Sequence, residues 1–235
     1  MPITISRADA RNRLAIALDT RDLDAAISLA EAVRPHIGVA KVGLQLFSAA
    51  GRKAVRAMRE IGMVVFLDVK FHDIPTTVYG ASAVLGSLGV RYLTVHAAGG
   101  EAMLQAAVKG LGEGAGESGL PTPIALAVTV LTSEPSASPE LLNERLAAAV
   151  AAGCGGVICA APDLPVIKGA APTIMAVVPG IRPAGVPIHD QARVATPGEA
   201  IRSGADMLVI GRAVTAAGDP ATAAEAIAIE VAQAI

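Results

Sequence analysis

The chain has 235 residues, of which 53% are hydrophobic, 17% charged and 2% aromatic, and its 19 Lys and Arg nearly balance 21 Asp and Glu. This composition excludes a disordered chain and, with two cysteines, Cys154 and Cys159, a disulfide scaffold; the lack of a basic block speaks against nucleic-acid binding. No apolar run reaches the roughly 18 residues of a membrane span and no signal-peptide pattern is visible, so a soluble, cytoplasmic protein with a core of Ala, Val, Ile and Leu is expected.

In chain order, apolar β-branched runs and Ala/Leu-rich helical patterns alternate. They predict a strand over 14–18 and a helix over 22–33, then 39–42 and 50–61, 63–69 and 76–88, and 92–95 and 101–111. The second half continues with strands 124–130, 156–159, 174–178 and 207–210, each followed by a helix: 139–151, 163–168, 197–203 and 220–233. Asp22 has the chemistry of an N-cap, and Gly62, Gly89, Gly153 and Gly204 stand where helices stop. The strand runs are apolar almost throughout, as in a parallel sheet covered by helices.

Eight such units, spaced by roughly 28 residues with no linker between them, fit a TIM (β/α)8 barrel forming a single catalytic domain over 1–235. An open doubly wound sheet shows the same alternation, but the Gly-rich first turn of such sheets is missing. Two connections, 131–138 and 180–194, are long and turn-rich, and such loops after barrel strands lie on the catalytic face.

Charged residues are rare in these strands and concentrate at their C-terminal ends: Asp19, Lys41, Asp68, Lys70 and, just beyond, Asp73. In an extended strand residues two apart face the same side, so Asp68 and Lys70 are expected to point together into the barrel mouth. A lone Asp-x-Lys is equally well a structural salt bridge. Alternating carboxylates and ammonium groups from neighbouring strand ends make a site in which a Lys can act as a general acid. The loops after strands seven and eight carry Gly180-Ile181-Arg182 and Gly211-Arg212, a glycine for close backbone approach and a cation in each. That is the usual phosphate cradle of a barrel.

The stretch Asp68-Val69-Lys70-Phe71-His72-Asp73-Ile74-Pro75-Thr76-Thr77 resembles the signature of the orotidine 5′-monophosphate decarboxylases. Ala17-Leu18-Asp19, Lys41-Val42-Gly43, Val95-His96-Ala97-Ala98-Gly99-Gly100, the run from Ala127 to Ser133, Asp190-Gln191 and Val209-Ile210-Gly211-Arg212-Ala213-Val214-Thr215 match in order as well. The resemblance implies decarboxylation of orotidine 5′-monophosphate to uridine 5′-monophosphate, the last step of UMP synthesis, without metal or organic cofactor. It further implies that Lys70 protonates C6, Asp68 opposes the substrate carboxylate, and Lys41 and Asp19 contact the ribose hydroxyls. Thr132 would recognise the pyrimidine, Gln191 bridge phosphate and base, and Arg182, Gly211 and Arg212 hold the phosphate. Asp73, with Ile74 and Thr77, would reach into the site of a partner in a homodimer. The chain departs from the pattern at Ala98, where many members carry Ser, and at Pro135 and Pro139 around the first long loop.

Two other readings use the same barrel. A metal-dependent 3-keto-gulonate-6-phosphate decarboxylase or related epimerase would need a magnesium-binding carboxylate near the end of the second strand, where this chain has Lys41. A non-enzymatic sensor of uridine monophosphate would bind product without turning over substrate. Cys154 and Cys159 are expected to be buried structural thiols, His72 to be structural, and His96 to stand near the pocket. His36 and His189 read as loop residues, and Glu101 and Glu113 as solvated charges.

Overall fold

A strand that is apolar at every position has to be covered on both faces, and a closed barrel wrapped in helices does this for every strand without leaving an edge. The computed structural model of the chain, which describes residues 7–131, 138–183 and 195–235, is such a barrel. Its strands are β1 (Leu14–Ala17), β2 (Val39–Gly43), β3 (Val64–Phe71), β4 (Tyr92–His96), β5 (Ile124–Val128), β6 (Gly156–Ile158), β7 (Met175–Val178) and β8 (Met207–Ile210). All neighbours are parallel, and β8 closes on β1 through Leu14 opposite Leu208.

The first half of the helical layer is α1 (Arg7–Asn12), α2 (Leu23–Val33), α3 (Leu44–Ala50), α4 (Arg52–Glu60), α5 (Pro75–Gly86) and α6 (Gly100–Glu117). The second half is α7 (Pro139–Ala151), α8 (Leu164–Ala170), α9 (Pro197–Arg202), α10 (Arg212–Thr215) and α11 (Pro220–Ala234). Asp22 caps α2 as expected, accepting from the N–H groups of Asp24 and Ala25. The helix expected over 50–61 is instead two, because Gly51 takes φ +55 and breaks the chain between α3 and α4. The helix expected over 101–111 runs on to Glu117 despite four glycines, since tertiary packing requires two of them. A Cβ at Gly110 would stand 2.4 Å from the Tyr79 carbonyl oxygen, and one at Gly114 1.9 Å from that of Ala83. Helices α5 and α6 therefore touch backbone to backbone. Among the described residues no helix is long and apolar enough to cross a membrane.

Inside the barrel, period two along each strand separates a packed floor from a polar rim. Ala15, Val39, Phe66, Leu126, Val177 and Met207 belong to the inner apolar cluster, with Tyr92 edge-on to Phe66. Two residues further along, β2 presents Lys41, β3 Asp68 and β4 Thr94, all three buried. At the opposite, N-terminal end the units are stapled by arginines. Arg11 Nε donates to the Arg34 carbonyl at 2.8 Å, Arg34 Nη1 to Ile61 at 3.3 Å, Arg59 Nη1 to Leu88 at 2.9 Å and Arg91 Nη1 to Thr122 at 3.0 Å. The carbonyls of Arg34, Ile61 and Leu88 lie at or just past helix C-termini, where the dipole favours a cation.

The close α5–α6 contact sets a paired prediction. Gly114→Ala is expected to cost about 1–3 kcal/mol through overpacking. Gly112→Ala, whose Cβ meets nothing nearer than 3.9 Å, should stabilise by about 0.5–1 kcal/mol through helix propensity. Urea unfolding midpoints of the two variants measure both.

Candidate active site

The charged residues at the ends of β1, β2 and β3 meet in one row. Lys41 Nζ lies 3.4 Å from Asp19 Oδ1 and 3.3 Å from Asp68 Oδ2, and Lys70 Nζ lies 2.7 Å from Asp68 Oδ1. The signs alternate along Asp19, Lys41, Asp68 and Lys70, so each inner charge has opposite charges on both sides. Lys41 and Asp68 are each 8% exposed, whereas the outer members open to the cavity. Burial by itself would raise the Asp68 pKa. The ammonium groups of Lys41 and Lys70, with hydrogen bonds from Lys70 and the Thr94 hydroxyl, outweigh it and hold the carboxyl below its ordinary value. Asp68 is thus a buried, ionised carboxylate at neutral pH.

The route by which Lys70 arrives differs from simple strand alternation. Leu67 pairs with Leu93 and Phe71 with Val95, so β3 spends four residues where β4 spends two. This bulge contains Asp68 and Lys70, and Lys70 has φ +49, the one positive value at a non-glycine among the described residues. A left-handed Lys costs on the order of 1–2 kcal/mol, and bulges and strain of this kind concentrate at functional sites. The Lys70 ammonium still meets the Asp68 carboxylate, as the spacing suggested, but through a kink and not through an ideal pleat.

The row forms one side of a cavity of about 660 Å³, within the range of small-molecule sites. Pro179, Gly180, Arg182, Gly211 and Arg212 line it as well, bringing both Gly/Arg loops to the same space as the charge row. Arg182 is 5% exposed, and its Nη1 donates to the Ile181 carbonyl at 2.7 Å. A Cβ added at Gly211 would meet no protein atom within 4 Å, so chain packing does not explain the open space there. Gly43 is different: a Cβ there would lie 2.8 Å from Asp19 Oδ1 and 3.3 Å from Lys41 Nζ. It is a site residue to which spacing alone assigned no role. Thr94 is another, marked in the sequence only as a polar residue inside an apolar strand.

Asp73, Ile74 and Thr77 are exposed and do not line the cavity of their own chain. The Asp73 carboxylate accepts the Ile74 N–H at 2.7 Å. Thr132 and Gln191, like His189, lie outside the described residues. His96 is not part of the cavity wall: its ring stacks on that of His72 with centroids 5.3 Å apart, and its Nδ1 accepts the Ala98 N–H. Both cysteines are buried, and burial pushes the Cys154 thiol up to about 12, which makes it inert at neutral pH. Glu113 accepts from the Tyr79 hydroxyl, and Glu101 from Gln105, both on the exposed face of α6.

A family model described as Orotidine 5'-phosphate decarboxylase / HUMPS family matches residues 12–227. An orotidine 5'-phosphate decarboxylase of Anaeromyxobacter sp. (strain K) is 48% identical, covering 92% of this chain and 96% of the relative. One of Moorella thermoacetica is 46% identical over 96% of this chain and 94% of its own. The crystal structure of orotidine 5'-phosphate decarboxylase from Lactobacillus acidophilus superposes with a TM-score of 0.78 at 33% identity, covering 94% of this chain and 99% of that one.

Two predictions follow from the electrostatics and the packing of the row. A carboxylate with a lowered folded pKa contributes stability above its unfolded value, near 3.9, and that contribution is lost as pH falls through the lowered value. Wild type should therefore be more stable than Asp68→Asn at pH 7, and the gap in urea midpoint should close below about pH 4. Gly43→Ala should leave the fold intact by circular dichroism while displacing Asp19 or Lys41, reducing ligand affinity in the cavity by about tenfold or more in calorimetric titration with uridine 5′-monophosphate.

Proposed function

The chain belongs to the orotidine 5'-phosphate decarboxylase / HUMPS family, and we propose that it converts orotidine 5′-monophosphate to uridine 5′-monophosphate, the last step of de novo UMP synthesis. The observation that carries this reading is the alternating row Asp19, Lys41, Asp68 and Lys70 facing the same cavity as Arg182 and Arg212. The phosphate goes to Arg182, Gly211 and Arg212, where backbone N–H groups and guanidinium groups supply charge and hydrogen bonds. Asp19 and Lys41 take the ribose hydroxyls. By the resemblance, Thr132 takes the pyrimidine, and Gln191 bridges base and phosphate.

The reacting end is then set beside Asp68. Its ionised carboxylate opposes the carboxylate of the bound substrate but not the neutral carbon dioxide that leaves, so repulsion is relieved in the transition state. The bond from C6 to the carboxylate carbon breaks and its electron pair stays on C6. The Lys70 ammonium stabilises that charge and delivers a proton to C6, later regaining one from water. Electrons and atoms balance without a redox partner, and we assign the reaction no metal or organic cofactor. A magnesium-dependent mechanism would need anionic ligands where Lys41 places an ammonium group 3.3 Å from Asp68.

The whole chain is proposed to act as one catalytic domain in the cytoplasm, as a homodimer. The support for the dimer is the exposed run beyond β3, where Ile74 is 66% exposed, together with the family resemblance of Asp73, Ile74 and Thr77 to residues that complete a partner's site.

Purified protein should turn over orotidine 5′-monophosphate with or without a chelator. Lys70→Ala should lose on the order of 10²–10⁴-fold or more in kcat, and wild-type turnover in that variant would overturn the assigned proton transfer. Light scattering should give about twice the mass of one chain, and a single-chain mass at assay concentration would overturn the dimer.

A further inference from the structure

The left-handed backbone of Lys70 is held by one side chain. Where the register of β3 and β4 slips, the Lys70 N–H donates to Thr94 Oγ1 at 2.9 Å. The same hydroxyl donates to Asp68 Oδ1 at 2.9 Å, and that oxygen also accepts from Lys70 Nζ at 2.7 Å. The bonds close a ring: Lys70 N–H to the Thr94 hydroxyl, the hydroxyl to Asp68, and Asp68 to the ammonium end of the same Lys70. A hydroxyl fits because it accepts one hydrogen bond and donates another. Thr94 is fully buried, so bulk water cannot take its place, and its branched Cβ restricts the rotamer.

We propose that Thr94 is a positioning residue for decarboxylation, fixing Lys70 at both its backbone and its ammonium group so that the proton is aimed at the reacting carbon. The proposal rests on the reading of Lys70 as the proton donor. Removing the hydroxyl leaves a buried N–H without its partner, which is costly, and takes away the support of the positive φ. The Lys70 backbone then moves toward an extended conformation and its Nζ leaves Asp68. Substrate binding, which engages the phosphate wall and the sugar side of the cavity, is left largely as it was. A threonine that only satisfied buried polar atoms would lower stability and leave the chemistry of the folded protein alone.

The test compares Thr94→Val, which keeps the shape and loses the hydroxyl, with Thr94→Ser, which keeps the hydroxyl. Thr94→Val should lose about 10–100-fold in kcat with KM changed by less than about threefold, and Thr94→Ser should recover most of the loss. Wild-type kcat in Thr94→Val, or equal loss in both variants, overturns the proposal. If Thr94→Val does not fold, Thr94→Cys carries the same comparison through its weakly hydrogen-bonding thiol: a kcat below that of Thr94→Ser supports the proposal and an equal one overturns it. A crystal structure of the Val or Cys variant reads the ring directly. Lys70 retaining its φ and its contact with Asp68 overturns the proposal whatever the substrate is, whereas a wild-type protein inactive on orotidine 5′-monophosphate overturns the functional reading alone.

Discussion

The carboxylate of Asp68, buried at the mouth of the barrel between two ammonium groups, is the interaction on which the surrounding structure depends. An unpaired carboxylate in that position would have to protonate or drag water inward. Lys41 and Lys70 remove that necessity and leave Asp68 ionised. The arrangement constrains its neighbours in turn. Residue 43 has room for no side chain, β3 has to bulge before it leaves β4, and Lys70 adopts a backbone conformation that only hydrogen bonding sustains. A network with every member paired is rigid, and a rigid arrangement of charges does not have to reorganise as charge moves during a reaction.

The two ends of the barrel divide the work. At the C-terminal end, loops and charges surround an open cavity. At the N-terminal end, Arg11, Arg34, Arg59 and Arg91 tie successive units together through carbonyl groups. These exposed contacts are individually modest, and their value lies in fixing the spacing of the strands whose other ends form the site. The glycine-mediated contact of α5 and α6 acts on the same half of the barrel, behind β3 and β4, where the bulge and Thr94 sit. Strain at Lys70 is tolerated because the scaffold around it has little freedom to relax.

Much of the site was legible in the sequence because barrel topology converts strand ends into neighbours. Asp19, Lys41, Asp68 and Lys70 are far apart along the chain, yet each ends or follows an apolar run, and parallel closure brings such ends together. Arg182 and Arg212 were legible for the same reason. Gly43 and Thr94 were not, since their significance lies in a distance across strands: a missing Cβ beside Asp19, and a hydroxyl opposite a register slip. The break at Gly51 and the continuation of α6 past Leu111 were also hidden, because local propensity does not register packing between helices.

The sequence by itself determined the alternation of strands and helices, the barrel, and the charges that gather at its mouth, because hydrophobic periodicity and strand-end position are local properties of the chain. Only the tertiary structure decided how those charges are held. The bulge at Lys70, the order of partners along the row and the ring through Thr94 arise from register between β3 and β4, and register is set by the closure of all eight strands together.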